Sequence, residues 1–190
     1  LLEKLDVSDI EKDSLTVDDY KNIFEENGFK IKEKYFLQEE SLFKKYDSEK
    51  QVIIDSLKSH PDCSTRIKLI NKYINQKKLE DRITVSNKFS EIKKISNNQN
   101  LLNLYYTKQY GFSLYEALKL YKNNKNNTFY KQIIVLNLQE IKKARINYTI
   151  NRYVPSHDFK SNTPSLNRFI TFINNIKITD FETLITNFKP

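Results

Sequence analysis

Apolar positions recur along most of this chain at helical spacing. Tyr20, Ile23 and Phe24 share one helical face. They follow Thr16-Val17-Asp18-Asp19, which reads as an N-cap with acids suited to the positive helix end. Asn27-Gly28 marks the stop. Ser48-Glu49-Lys50-Gln51 has capping-box spacing ahead of Ile53, Ile54 and Leu57, and His60-Pro61 closes that run. Ile67, Ile70 and Ile74 follow i, i+3, i+7. Leu79, Ile83, Phe89, Ile92 and Ile95 predict another helix, broken at the polar run Asn97-Asn98-Gln99-Asn100. Residues 101–110 predict the next, closed by Gly111, and Ser113-Leu114-Tyr115-Glu116 reads as a second capping box. Leu114, Ala117, Leu118 and Tyr121 then repeat at i, i+3, i+4, i+7.

The longest periodic stretch covers residues 128–153, with Tyr130, Ile134, Leu138, Ile141 and Tyr148 on one stripe. As a single helix it would span about 40 Å before Pro155. Thr163-Pro164 reads as an N-cap and first-turn proline ahead of Leu166, Phe169, Ile170, Ile173 and Ile176. Thr179-Asp180-Phe181-Glu182 reads as a third capping box, opening a short terminal helix. Residues 29–37 are ambiguous. Phe29, Ile31, Tyr35 and Leu37 alternate with Lys30, Lys32 and Lys34, so one short strand or hairpin stays open there beside a helix start. The expected class is all-α: an irregular helical bundle or stacked helical hairpins, with about eight helices and short connections.

Composition strengthens that reading. The 190 residues contain 2 Gly and 4 Pro, too few for the turns of a sandwich or barrel. A phosphate-binding glycine loop needs several glycines close together, and Gly28 and Gly111 are far apart. Apolar residues make up only 38%, but 12 Phe and 12 Tyr bury large areas each. One cysteine, Cys63, excludes an internal disulfide and a Cys-rich zinc site, and it points to a reducing, intracellular compartment. No cofactor is expected. No apolar run reaches the length of a membrane span. The chain lacks Met and opens on Leu1-Leu2, so it is read as one domain of a longer protein.

Charge is distributed unevenly within a formal net of +8. Residues 1–60 carry 10 Lys/Arg against 15 Asp/Glu, and residues 61–190 carry 22 against 9. The chain therefore divides, on paper, into an acidic, partly helical segment 1–47 and a basic helical body 48–190. Such asymmetry suits a basic body facing an acidic partner, an acidic segment folded against a basic one, or a solvated Lys-rich surface.

Chemistry is sparse. Lys142, Lys143, Arg145 and Arg152 would form one basic stripe on a helix 128–153, with Tyr148 and Tyr153 beside it. Lys93, Lys94 and Lys88 could extend that surface. Cations with interleaved aromatics suit phosphates and stacked bases, or an acidic partner. His157, Asp158 and Cys63 are the residues from which a nucleophile system could be assembled. Arg152-Tyr153-Val154-Pro155-Ser156-His157 is similar to the Arg-x4-His motif of a family of helical ribonucleases. That resemblance implies phosphate contacts for Arg152 and His157, although Pro155 interrupts the helix that would carry both. Leu104, Ala117 and Tyr121 resemble the packing positions of one tetratricopeptide hairpin, with no second copy about 34 residues away.

Three readings follow. The first is a non-catalytic helical interaction module, an adaptor or scaffold with a protein partner. The second is a nucleic-acid-binding domain using the basic face. The third is an enzyme fragment built on Arg152 and His157.

Overall fold

The computed structural model describes residues 15–37, 63–77, 86–158 and 162–188. The described residues form seven α-helices and no strand. We number them α1 (Val17–Glu25), α2 (Cys63–Lys77), α3 (Asn87–Tyr106), α4 (Tyr110–Asn123), α5 (Thr128–Ile146), α6 (Pro164–Asn175) and α7 (Ile178–Asn187). Two 3-10 turns, Glu33–Phe36 and Ile150–Arg152, complete the set. The expected all-α bundle is what forms. The chain divides into two compact units: residues 1–12 with 39–85, and residues 13–38 with 86–190. In the first, only α2 is described. The capping box at Ser48 and the helix over 53–60 lie outside the described residues.

The larger unit is built on a hairpin of α4 and α5. Both helices are buried along one face, through Leu114, Ala117, Leu118 and Tyr121 on α4 and Ile134, Leu138 and Ile141 on α5. The short loop 124–127 makes them antiparallel. α3 and α1 pack on α4, α7 packs on α5, and α6 packs on α4 and on the Glu33–Phe36 turn. A buried polar chain ties three helices together. Asn137 Nδ2 donates to Ser113 Oγ at 2.8 Å, and Ser113 Oγ donates to Leu101 O at 3.2 Å.

Rings fasten the N-terminal residues to the C-terminal helices. The Phe172 ring on α6 lies 4.9 Å from Tyr20, 5.3 Å from Phe24 and 5.4 Å from Phe36, centroid to centroid. Phe188 reaches Phe24 at 5.5 Å. Two ion pairs accompany this packing, Asp19 with Lys122 at 2.8 Å and Glu26 with Lys125.

Several expected helix ends hold. Thr16 caps α1 in a reciprocal capping box with Asp19. Gly28, at φ 74°, ends α1, and the Phe29 N–H returns to Phe24 O at 2.9 Å. Thr163 caps α6 with Pro164 at its first turn.

Others are corrected. Residues 29–37 form no strand. Phe29, Ile31 and Tyr35 are buried, but no partner strand exists among the described residues. The backbone winds a 3-10 turn instead, and Asn175 Nδ2 donates to Tyr35 O and Leu37 O. The polar run 97–100 does not break a helix, because α3 passes straight through it from Asn87 to Tyr106. The helix expected over 128–153 stops at Ile146. Tyr148 adopts φ 55° and the Thr149 N–H bonds back to Ala144 O at 2.8 Å, a left-handed helix stop. Ser113 is no cap: it lies inside α4 with its hydroxyl in the buried chain. Thr179 is likewise inside α7, where Lys177 holds the cap position.

Gly111 is not a helix stop either. It sits in the first turn of α4, where the segment 153–155 crosses. A Cβ there would fall 2.8 Å from Pro155 Cδ and 2.9 Å from Val154 Cα. Gly111→Ala is expected to destabilise the fold by about 1–3 kcal/mol, as overpacking against backbone does. Thr16→Ala, removing the α1 cap, is expected to cost about 1 kcal/mol. Denaturant melts of both variants check these values.

Candidate functional site

The basic residues picked from the sequence do not form one stripe. Lys142 Nζ donates to Glu182 Oε1 on α7 at 2.7 Å, and Lys143 Nζ to Glu140 Oε1 at 2.6 Å. Arg145 donates to Ile173 O at 2.8 Å and to Asn174 O at 2.6 Å. Those carbonyls end α6, so the guanidinium caps a helix C-terminus. Burial lowers the Arg145 pKa from its ordinary value. Arg152 stands exposed in the 3-10 turn beyond the left-handed Tyr148, off the α5 axis. Lys88, Lys93 and Lys94 are exposed on the N-terminal half of α3.

That half of α3 carries a row of apolar side chains left exposed. Phe89, Ile92 and Ile95 are 58%, 55% and 60% exposed. At about 100° per residue, Phe89 and Ile95 lie within about 60° of Ile92, while Leu101 projects from the opposite side. Leu101 is fully buried on α4 and α5. The packing that buries Leu101 therefore cannot cover Ile92. In the other unit, α2 also shows apolar side chains: Leu69, Ile70 and Tyr73 are largely exposed.

A second feature lies where the C-terminus of α3, the N-terminus of α4 and the C-terminal half of α5 converge. Four tyrosines touch in series. Tyr106 meets Tyr105 at 5.9 Å, Tyr105 meets Tyr110 at 5.4 Å, and Tyr110 meets Tyr153 at 5.3 Å between ring centroids. Tyr106 is 74% exposed and the other three are half-buried. Burial raises the pKa of the Tyr105 and Tyr110 phenols, Glu140 raises both further, and Lys143 opposes it. The Glu140–Lys143 pair thus lies within electrostatic reach of these phenols. Sequence reasoning took only Tyr153 and Tyr148 as aromatic neighbours. The spacing Tyr105-Tyr106-x3-Tyr110 was visible, but only the turn at Lys108, with φ 61°, folds Tyr110 back onto Tyr105.

Compared with protein-family models, curated protein sequences and solved structures, the chain matches none.

The residues of the enzyme reading lie elsewhere. His157 Nε2 is 2.9 Å from Thr171 Oγ1, and Thr171 Oγ1 donates to Asn167 O. Asn167, almost fully buried, accepts from Asp158 N and from Asn162 Nδ2 and donates to Asp158 O. These bonds pin the segment after Pro155 to α6. Beside them lies a cavity of about 370 Å³ bordered by Val17, Phe36, Asn162, Pro164, Asn167, Arg168 and Thr171. Its polar groups are engaged in the fold: Arg168 donates to Leu15 O at 2.7 Å. Cys63 opens α2 in the other unit. Among the described residues, no group of three His, Cys, Asp or Glu could hold a metal ion, and no helix is long and apolar enough to cross a membrane.

Burial pushes the His157 pKa below its ordinary 6.5, against an opposing hydrogen bond to the Asn167 backbone. The unfolded chain then binds more protons than the folded one just below pH 6.5. Stability is fully present above that pH and falls as the pH drops through the window toward the folded pKa. His157→Gln is expected to flatten this part of the stability profile between about pH 7 and pH 5, as read by urea melts at stepped pH.

Proposed function

We propose that this chain is a non-catalytic helical interaction module that binds a protein partner through the N-terminal half of α3. The supporting observation is the exposed row of Phe89, Ile92 and Ile95 on the side of α3 turned away from Leu101. Burying such side chains is worth about 1.5–3 kcal/mol each, and within the described packing that gain is not realised. Contiguous apolar surface of this kind marks association sites. The polar groups nearest to a catalytic constellation, around His157, instead hold a segment onto α6.

Folding and binding separate cleanly in a test. Changing Phe89, Ile92 and Ile95 together to Ser should leave the unfolding free energy within about 0.5 kcal/mol of the parent, as surface changes do. Leu101→Ala on the opposite side should cost about 2–5 kcal/mol. A photo-crosslinking side chain at position 92 should capture a discrete protein partner, and the Ser variant should compete poorly for it. A large loss of stability in the Ser variant would mean that the chain itself covers this row, and the reading would fall.

A further inference from the structure

We propose that the tyrosine series at the other end of α3 is a stacking site for single-stranded nucleic acid, with Lys143 and Arg152 contacting its phosphates.

The rings supply the first half of the case. Tyr106, Tyr105, Tyr110 and Tyr153 form a run of contacts 5.3 to 5.9 Å apart, reaching from a 74% exposed ring to half-buried ones. A structural aromatic cluster buries its rings, as those around Phe172 do. This one leaves its terminal ring open to stack a base. Every base offers a π-face, so such a platform tolerates any sequence.

Cations supply the second half. Lys143 lies within electrostatic reach of the Tyr105 and Tyr110 phenols, Arg152 immediately precedes Tyr153 in the chain, and Lys108 stands two residues after Tyr106 in the left-handed turn. Lys143 is engaged with Glu140, but in an exposed i, i+3 pair that a phosphate can displace at little cost. Arg152 is exposed and offers a bidentate fork to phosphate. Lys142 and Arg145, by contrast, are occupied by Glu182 and by the end of α6. The basic face expected from the sequence is thus narrowed to the members beside the rings. Asp19 of α1 and Glu26 just after it pair with Lys122 and Lys125 at the far end of α4, about 20 Å away along that helix.

The test is fluorescence anisotropy of the full chain with labelled 12-mer oligo-dT and oligo-U and a 12-bp duplex, across a salt series. The expected result is binding of both single strands, with a log–log salt slope of about −2, as about three phosphate contacts give. Tyr106→Ala should weaken it about ten-fold. Arg152→Ala should weaken it and lower the slope by about 0.7. Glu140→Gln should tighten it. Lys131→Ala, near the start of α5 at the opposite end, should change nothing. Equal losses from Lys131→Ala and Arg152→Ala would overturn the site in favour of diffuse attraction by net charge. Preference for the duplex, or undiminished binding by Tyr106→Ala with an intact melting curve, would overturn the stacking role. Absence of binding at low salt would overturn the proposal altogether and leave the α3 protein-docking reading untouched.

Discussion

The larger unit depends on one ring. Phe172, late in the chain, meets residues from the early segment 15–37, touching Tyr20 and Phe24 on α1 and Phe36 at the end of the Glu33–Phe36 turn. The segment 15–37 is short and contains one α-helix of two and a half turns, far below the length at which an isolated helix persists in water. It is ordered because its aromatic face is buried against α6 and α4. Without that contact, Asp19 and Glu26 would be exposed surface carboxylates, and their pairs with Lys122 and Lys125 would contribute little by themselves. Burial alone would raise the Asp19 pKa. The Lys122 and Thr16 hydrogen bonds outweigh it and hold the carboxyl below its usual value. Rings thus carry the contact between segment 15–37 and α6, because they bury the most area per residue ordered.

What the sequence reveals of this fold is mainly periodicity. The stripes on α1, α4, α5, α6 and α7 are legible because each buries one face, and the caps at Thr16 and Thr163 are legible because their bonds are local. The misreadings share a physical cause. Ser113, Thr179 and Gly111 all have local signatures of helix boundaries. Yet Ser113 is held inside α4 by Asn137 and Leu101, and Gly111 is required by the crossing of Pro155 rather than by a turn. Asn97 to Asn100 look like a loop, but α3 continues through them, with Asn97 and Asn98 half-buried and Gln99 and Asn100 exposed. Propensity is a weak prior wherever tertiary contacts decide.

The candidate sites are less legible still. Helix-wheel reasoning aligned Lys142, Lys143, Arg145 and Arg152 on one axis, but it cannot see that α5 ends at Ile146, nor which cation meets Glu182 or the carbonyls of α6. Arg145 illustrates the difference between charge and availability. Its two bonds satisfy carbonyls that α6 leaves unpaired, and removing them would leave orphaned acceptors as well as a missing cation. A loss of ligand binding in an Arg145 variant would therefore report damage to the α6 end. Arg152, solvated beyond the turn, carries no such burden. The exposed row on α3 was legible as a helix and illegible as a surface, because periodicity says that a face is apolar and not what lies over it.

The two ends of α4 differ in kind, and that difference organises the surface of the larger unit. At the C-terminal end, Asp19 of α1 and Glu26 just after it occupy Lys122 and Lys125. At the N-terminal end, Lys143 pairs with Glu140 in an exposed i, i+3 contact. The ends lie about 20 Å apart, more than twice the Debye length of about 8 Å at physiological salt. Charge at one end is therefore screened from the other. Among the described residues, Asp19 and Glu26 pair with cations at one end of α4 only, so charge is not averaged over the surface of this unit. An anion approaching the tyrosine end meets Lys143, Arg152 and Lys108 with little interference from α1. The formal charge of +8 is thus a poor guide to this domain. Which cations remain available, and which rings stand beside them, is set by where α1 docks and by where α5 stops.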